Sequence, residues 1–347
     1  MNLYEKVRRL SLPVVLYGMG DGADKLLSVL AAKDIPVAGV FASDEFVRGQ
    51  SFRGYPVRTY AETKAAYGTF TVLVAFASPL PAVLANVERI AAEMPLFIPD
   101  LPVCGTELFD EAYYGAHREE CGAVRGLLAD EISRALFDEM IEYRLSGEMA
   151  PLFAHTAQTE ELYSFFRPET YRIALDLGAY TGDTARELLS RAPGLERLVC
   201  MEPDPRSCKK LRALAQENPV IEAHALGAWS ERCDRPFIPA GGRGARAGTE
   251  KKSVLLPFEA PDRVLGGRKC DYIKFDVEGA EAMALCGCRE TVLRDAPDIR
   301  LSLYHRREDL FSLPQLLHSM QPRYEFHLRR GKCFPAWELD LLATARA

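Results

Sequence analysis

Short apolar runs alternate with helix-period stretches along most of the chain. Leu12–Tyr17 (LPVVLY), Val37–Phe41, Val72–Phe76 (VLVAF) and Leu96–Ile98 are runs of continuous hydrophobic residues. Between the first two, Leu26, Leu27 and Leu30 fall at helical spacing within Ala23–Ala32. Continuous apolar runs separated by amphipathic helices predict parallel strands covered on both faces. From Tyr171 the alternation resumes: strands are predicted at Tyr171–Leu177, Arg197–Met201, Val220–Ala225, Tyr272–Phe275, Ile299–Tyr304 and Leu339–Ala343, with helices near Thr184–Arg191 and Arg206–Glu217. The intervening LLADEISRALFDEMIEYRLSG places Leu127, Leu128, Ile132, Leu136, Met140 and Ile141 on one helical face, with Gly147 as a stop signal. The expected fold class is α/β: two Rossmann-like three-layer domains, residues 1–104 and 166–347, joined by a helical connector at 105–165.

Composition narrows the function. Of 347 residues, 48% are hydrophobic and 27% charged, which suits a soluble globular chain able to bury cores without staples. A net charge of -6 argues against a nucleic-acid backbone as partner. Arg243, Arg246, Lys251 and Lys252 sit among glycines and read as a solvated loop, and the glycines of Gly241–Gly248 make it a lid candidate. The nine scattered cysteines include no CxxC pair and read as reduced thiols of a cytosolic protein. With no signal peptide and no run of about 18 apolar residues, the expectation is a cytoplasmic protein with no membrane partner. The partner would be a small molecule; the oligomeric state stays open, a homodimer included.

Three segments carry candidate chemistry. Asp176-Leu-Gly-Ala-Tyr-Thr-Gly-Asp183 links a strand to a helix, and Gly178 and Gly182 allow close approach of a ligand to the backbone. Its two carboxylates, Asp176 and Asp183, repel phosphate but suit a ligand with an ammonium and a sulfonium; S-adenosylmethionine carries both. About twenty residues on, the next strand ends in Glu202-Pro203-Asp204, where an acid can accept both ribose hydroxyls. Asp276 then closes a third strand in DYIKFDVEGAE, bringing three acidic strand tips to one sheet edge. Asp276, Glu278 and Glu281 could offer oxygens to magnesium, but acids at a helix start more often cap it, Glu281 in particular, so no metal is expected.

The combination DLGAYTGDT, EPDP and DYIKFDVEGAE resembles the FkbM-family methyltransferases. The likeness extends over roughly residues 106–347, including the helical segment above and the tail SLYHRREDLFSLPQLL. It implies a class I methyltransferase fold, S-adenosylmethionine as cofactor, and O-methylation of a sugar or other small metabolite. It also implies that Gly178, Tyr180 and Gly182, with Ala179 between them, line the methionine end of the cofactor. Glu202 would hold the ribose, and Asp276 with Glu278 would face the reaction centre. An alcohol acceptor needs a general base; His305, just after a predicted strand, is the first candidate and Asp276 the second.

The N-terminal half has its own fingerprint. Gly18-Met-Gly20-Asp-Gly22-Ala23 satisfies G-x-G-x-x-A, and Asp44 follows about twenty residues later. Asp21 inside the turn would oppose a pyrophosphate. Nucleotide or nucleotide-sugar binding, a scaffold or dimerisation role, and NAD binding all remain open. The alternative for the whole chain is a nucleotide- or nucleotide-sugar-sensing protein whose methyltransferase-like half binds cofactor without turnover.

Overall fold

A computed structural model describes residues 1–238, 246–247 and 253–345. The chain divides into two compact units. The first comprises Met1–Arg118, Ala135–Thr156 and Arg330–Glu338; the second comprises Glu119–Arg134, Ala157–Arg329 and the residues from Leu339 on.

The first unit is built on a six-stranded sheet of β1 (Val14–Tyr17), β2 (Val37–Phe41), β3 (Ser51–Phe52), β4 (Tyr55–Arg58), β5 (Thr71–Val74) and β6 (Leu96–Phe97), in the order β3-β4-β2-β1-β5-β6. All pairings are parallel except the β3–β4 hairpin. All four residues of β1 are buried, as its unbroken apolar run demands of a strand covered on both faces. Helix Asp21–Ala32 presses Ala23, Leu26 and Leu30 onto it, in one core with Leu16, Val40 and Leu73.

The second unit holds a seven-stranded sheet: β7 (Ile173–Leu177), β8 (Arg197–Met201), β9 (Ile221–His224), β14 (Tyr272–Phe275), β15 (Asp298–Ser302), β16 (Tyr324–Arg330) and β17 (Leu339–Ala345). A separate small sheet of β10 (Gly227–Ala228), β11 (Cys233–Ile238), β12 (Arg246–Ala247) and β13 (Val254–Glu259) precedes β14. The large sheet runs β16-β17-β15-β14-β7-β8-β9, with β17 antiparallel to β15. Renumbered within the sheet and read from β9, this is 3-2-1-4-5-7-6, the order of the class I methyltransferase fold. Register sets Asp176, Lys274 and Arg300 side by side across β7, β14 and β15, a row of charge through three central strands.

Some expectations needed revision. The segment Leu127–Gly147 is not helical from its start: Leu127 ends one helix, Arg118–Leu127, and the next runs Glu131–Ser146, because Asp130 caps a new start by accepting the Ser133 N–H at 2.6 Å. Gly147 does follow the second helix in a left-handed conformation, φ 67°. Strand β16 (YEFHLRR) was not expected. Its Arg329 is buried by pairing with Asp130 and Glu161, so the charge that argued against a strand is neutralised in place. The glycine-rich stretch read as a lid, Gly241–Gly248, and Lys251 and Lys252 lie outside the described residues apart from the backbone of 246–247. Among the described residues no helix is long and apolar enough to cross a membrane.

Candidate active site

The glycine turn fixes the geometry of the site. After β7, Gly178 takes φ 81°, and a Cβ there would lie 1.8 Å from the carbonyl oxygen of Asp276. Only glycine lets the tips of β7 and β14 touch this closely. Gly182 takes φ 84°, and its Cβ would meet Leu214 Cδ2 at 2.5 Å; no side chain caps helix Asp183–Arg191, which starts there. Gly178→Ala is expected to destabilise the protein by roughly 2–4 kcal/mol through left-handed strain and overpacking together. Urea denaturation reads that loss; a variant as stable as wild type would show that the two tips can separate freely.

Glu202 is buried at the tip of β8. Its Oε2 accepts the Tyr180 N–H at 2.9 Å and its Oε1 the Asp204 N–H at 2.7 Å. Burial raises its pKa to about 7 against these two hydrogen bonds. Each oxygen keeps acceptor capacity, the arrangement a ribose diol requires. Asp204 itself does not share this role. Its Oδ1 caps helix Pro205–Glu217 by accepting the N–H groups of Arg206 and Ser207, both at 2.9 Å. Pro203 is the half-buried link between the two acids. Asp183 is exposed at the first helical position and accepts the Thr184 N–H.

Asp176 is fully buried, and neither of its oxygens has a hydrogen-bond partner. Burial lifts its pKa to about 6, partly offset by Lys274, whose Nζ lies 3.8 Å away. The same Nζ is 3.3 Å from Asp276 Oδ2. Lys274 thus bridges the tips of β7 and β14, and the two acids push its pKa above the ordinary lysine value despite burial.

Beyond β14 the chain gathers four carboxylates around one histidine. His305 is 1% exposed. Its Nδ1 is 2.9 Å from Glu281 Oε1, and its Nε2 is 3.4 Å from Asp276 Oδ1 and 3.6 Å from Glu278 Oε2. Burial works against its charge, yet Glu281, Asp276 and Glu278 raise its pKa to about 10. Lys274 and His305 in turn overcome the burial of Asp276 and hold it down at about 2. Tyr304 Oη donates to Asp276 Oδ1 at 3.3 Å. Glu278 has the opposite balance: burial raises it to about 7, with Asp276, Glu281 and Glu202 adding to the rise. Its backbone is left-handed, φ 52°, as is that of Tyr180, φ 46°.

Glu281, His305 and Asp309 could hold a cation, since one ligand atom from each lies within 4.8 Å of the others. Protein donors already occupy two of them: the Val277 N–H bonds Glu281 Oε1 at 2.9 Å, and the Arg306 N–H bonds Asp309 Oδ2 at 2.7 Å.

The structure therefore brings Gly178, Tyr180, Gly182, Glu202, Asp276, Glu278 and His305 into one neighbourhood, with Asp176 buried beneath. It departs from expectation over His305, which as an imidazolium must lose a proton before it can accept one, and over Asp204, a helix cap. Sequence reasoning also missed Lys274, a lone cation in an apolar strand, and saw Glu281 as a cap or surface partner rather than the counter-ion of a buried histidine.

Residues 176–327 match the family described as Methyltransferase FkbM domain. The segment 176–327 is in this way similar to an FkbM methyltransferase domain. No curated protein matches the chain. Among solved structures, methyltransferase FkbM from Methylobacillus flagellatus KT is 19% identical and superposes with a TM-score of 0.72 over 98% of this chain and 92% of that one. This likeness of fold extends well outside the FkbM domain. Aeropyrum pernix fibrillarin, in complex with natively bound S-adenosyl-L-methionine, is 16% identical with a TM-score of 0.35, over 52% of this chain and 69% of that one.

Proposed function

We propose that the protein is an S-adenosylmethionine-dependent O-methyltransferase acting on a hydroxyl of a sugar or other small metabolite. The observation that carries this reading is the convergence of three acidic strand tips on one glycine turn, with Lys274 joining two of them. The residues present fit the cofactor: the glycine cradle has no room for a Cβ, Glu202 retains free lone pairs for a ribose diol, and the acids outnumber the cations around a ligand that is itself cationic. When bound, S-adenosylmethionine supplies an electrophilic methyl group.

The chain's own residues then divide the work. Glu202 orients the ribose and Gly178–Gly182 the methionine end. Asp276, held ionised by Lys274 and His305, keeps the local charge fixed through turnover. Glu278, with a pKa near neutrality and a partly exposed carboxylate, accepts the proton of the acceptor hydroxyl as the new bond to oxygen forms. His305 stays protonated and stabilises the carboxylates around it. The net charge of -6 favours a small-molecule acceptor over a nucleic acid or a membrane.

The affinity for S-adenosylmethionine is expected to rise up to about tenfold between pH 6 and pH 8, because an ionised Glu202 accepts hydroxyl hydrogen bonds more strongly than a protonated one. Glu202→Gln should flatten that profile at its weak end in calorimetric titrations. The function itself is tested by calorimetry with S-adenosylmethionine, followed by transfer of a labelled methyl group to a panel of sugars and small alcohols. Absence of cofactor binding overturns the reading. Binding without transfer to any hydroxyl in a broad panel favours the sensing alternative.

A further inference from the structure

Glu278 lies in a tight turn between β14 and the helix Glu281–Gly287, and two successive residues of that turn are left-handed: Glu278 at φ 52° and Gly279 at φ 89°. Glycine takes this conformation freely, whereas a glutamate pays roughly 1–2 kcal/mol for it. The turn therefore persists only where neighbouring groups hold it.

Two hydrogen bonds bracket Glu278. Before it, the Val277 N–H donates to Glu281 Oε1 at 2.9 Å. After it, the carbonyl of Gly279 accepts from Arg306 Nε at 2.7 Å. A longer bond, from the Ala280 N–H to the Val277 carbonyl at 3.3 Å, closes the turn on itself. Arg306 is in turn anchored. Its N–H donates to Asp309 Oδ2 at 2.7 Å, and its carbonyl accepts the Asp309 N–H at 3.3 Å. Asp309 is buried at the start of helix Asp309–Met320, whose Leu310, Leu313 and Leu317 are buried in the second unit. The backbone of Arg306 is thus fixed to a packed helix, and its side chain reaches from there to the turn.

We propose that Arg306 is a positioning residue for Glu278: through the Gly279 carbonyl it holds the 278–279 turn and keeps the Glu278 carboxylate beside His305 and Asp276. The assignment rests on Glu278 as the acceptor of the hydroxyl proton, proposed above. What Arg306 supplies is geometry rather than charge. The charges that shift Glu278 most are those of His305, Asp276, Glu281 and Glu202. A base displaced by about 1 Å from its substrate loses on the order of a hundredfold in rate.

Substitution separates the hydrogen bond from the charge. Glutamine carries Nε2 at the same place along the side chain as arginine Nε, so it keeps the donor and drops the charge. Lysine keeps a charge but has a methylene at that place. Methionine has neither donor nor charge. Arg306 is only half-buried, so none of these replacements opens a cavity in the core.

The test compares wild type with Arg306→Gln, Arg306→Lys and Arg306→Met in the full chain, by kcat, by calorimetry with S-adenosylmethionine and by crystal structure. The Lys and Met variants should lower kcat roughly ten- to a hundredfold, keep cofactor affinity within about threefold and displace the Glu278 carboxylate by about 1 Å or more. Arg306→Gln should restore the wild-type turn and bring turnover back to within about threefold of wild type. Equal losses in the Gln and Met variants overturn the proposal, because the charge and not the bond to Gly279 then matters. Wild-type kcat in Arg306→Met, or a fall in cofactor affinity that matches the fall in kcat, overturns it as well. The structural comparison needs no turnover: an unmoved Glu278 in Arg306→Met sinks the proposal even where no acceptor is methylated. On a Glu278→Gln background, Arg306→Met should cost less than about threefold more, since the two act as one unit; a full second loss there also overturns it. Wild-type turnover in Glu278→Gln removes the proton-accepting role itself, and displacement of the turn in Arg306→Met then still shows what Arg306 holds in place.

Discussion

Glu278→Gln is expected to lower turnover by roughly 10²–10⁴-fold while leaving S-adenosylmethionine affinity within a few-fold of wild type. Three features concentrate this effect on Glu278. Its carboxylate is partly exposed whereas His305 is sealed. Its pKa of about 7 lets it take up a proton near neutrality and release it again. Asp276, held at about 2, is a far weaker base. In wild type, kcat/KM should climb with pH through about 7 as Glu278 ionises, and the variant should lose that limb. Pre-steady-state methyl transfer separates the chemical step from binding. Turnover within about fivefold of wild type would remove Glu278 from proton transfer.

His305→Ala is expected to cost roughly 3–5 kcal/mol of stability, because Glu281, 1% exposed, would be left as an uncompensated buried charge. The pH dependence distinguishes this cause from simple loss of packing. The folded-state pKa of His305 is raised from 6.5 to about 10, so its contribution is complete below 6.5 and fades as pH rises through 10. The stability gap between wild type and variant should therefore narrow steadily from pH 6.5 to pH 10. A constant gap in denaturant titrations over that range would indicate a cavity effect. Glu202 and Glu278 act in the same sense at lower pH. Burial raises both to about 7, so what they contribute to folding is present below the ordinary glutamate value and is lost as pH climbs through 7. A ligand that prefers their ionised forms offsets the loss.

The segments that hold the site could be found from the linear chain because local rules define them. Gly178 and Gly182 between an apolar run and a helix mark a turn, and an acid about twenty residues on marks the next strand tip. The two sheets were legible for the same reason: runs such as VVLY and IALDL have one stable use, a strand covered on both faces. The charge state of His305 was not legible, since it is set by carboxylates at 276, 278, 281 and 309 that only folding assembles. Lys274 was equally hidden, because a lysine in YIKF has no local signal that it faces Asp176 from the neighbouring strand. Strand β16 was obscured by Arg329 and Arg330: Arg329 pairs with Asp130 and Arg330 bonds the carbonyl of Leu152, both more than a hundred residues earlier in the chain.

The chain passes between its two compact units five times, at 118/119, 134/135, 156/157, 329/330 and 338/339. A fragment ending near residue 165 would therefore lack Arg330–Glu338, and with it the Ser78–Phe334 bridge and the guanidinium that bonds the carbonyl of Leu152. Neither unit corresponds to a contiguous cloning fragment, so excised halves are expected to be recovered as aggregates. Residues of the two units are better dissected by point substitution in the intact polypeptide, and any transplant of the catalytic portion to another scaffold has to carry three separate segments, 119–134, 157–329 and the residues from 339 on.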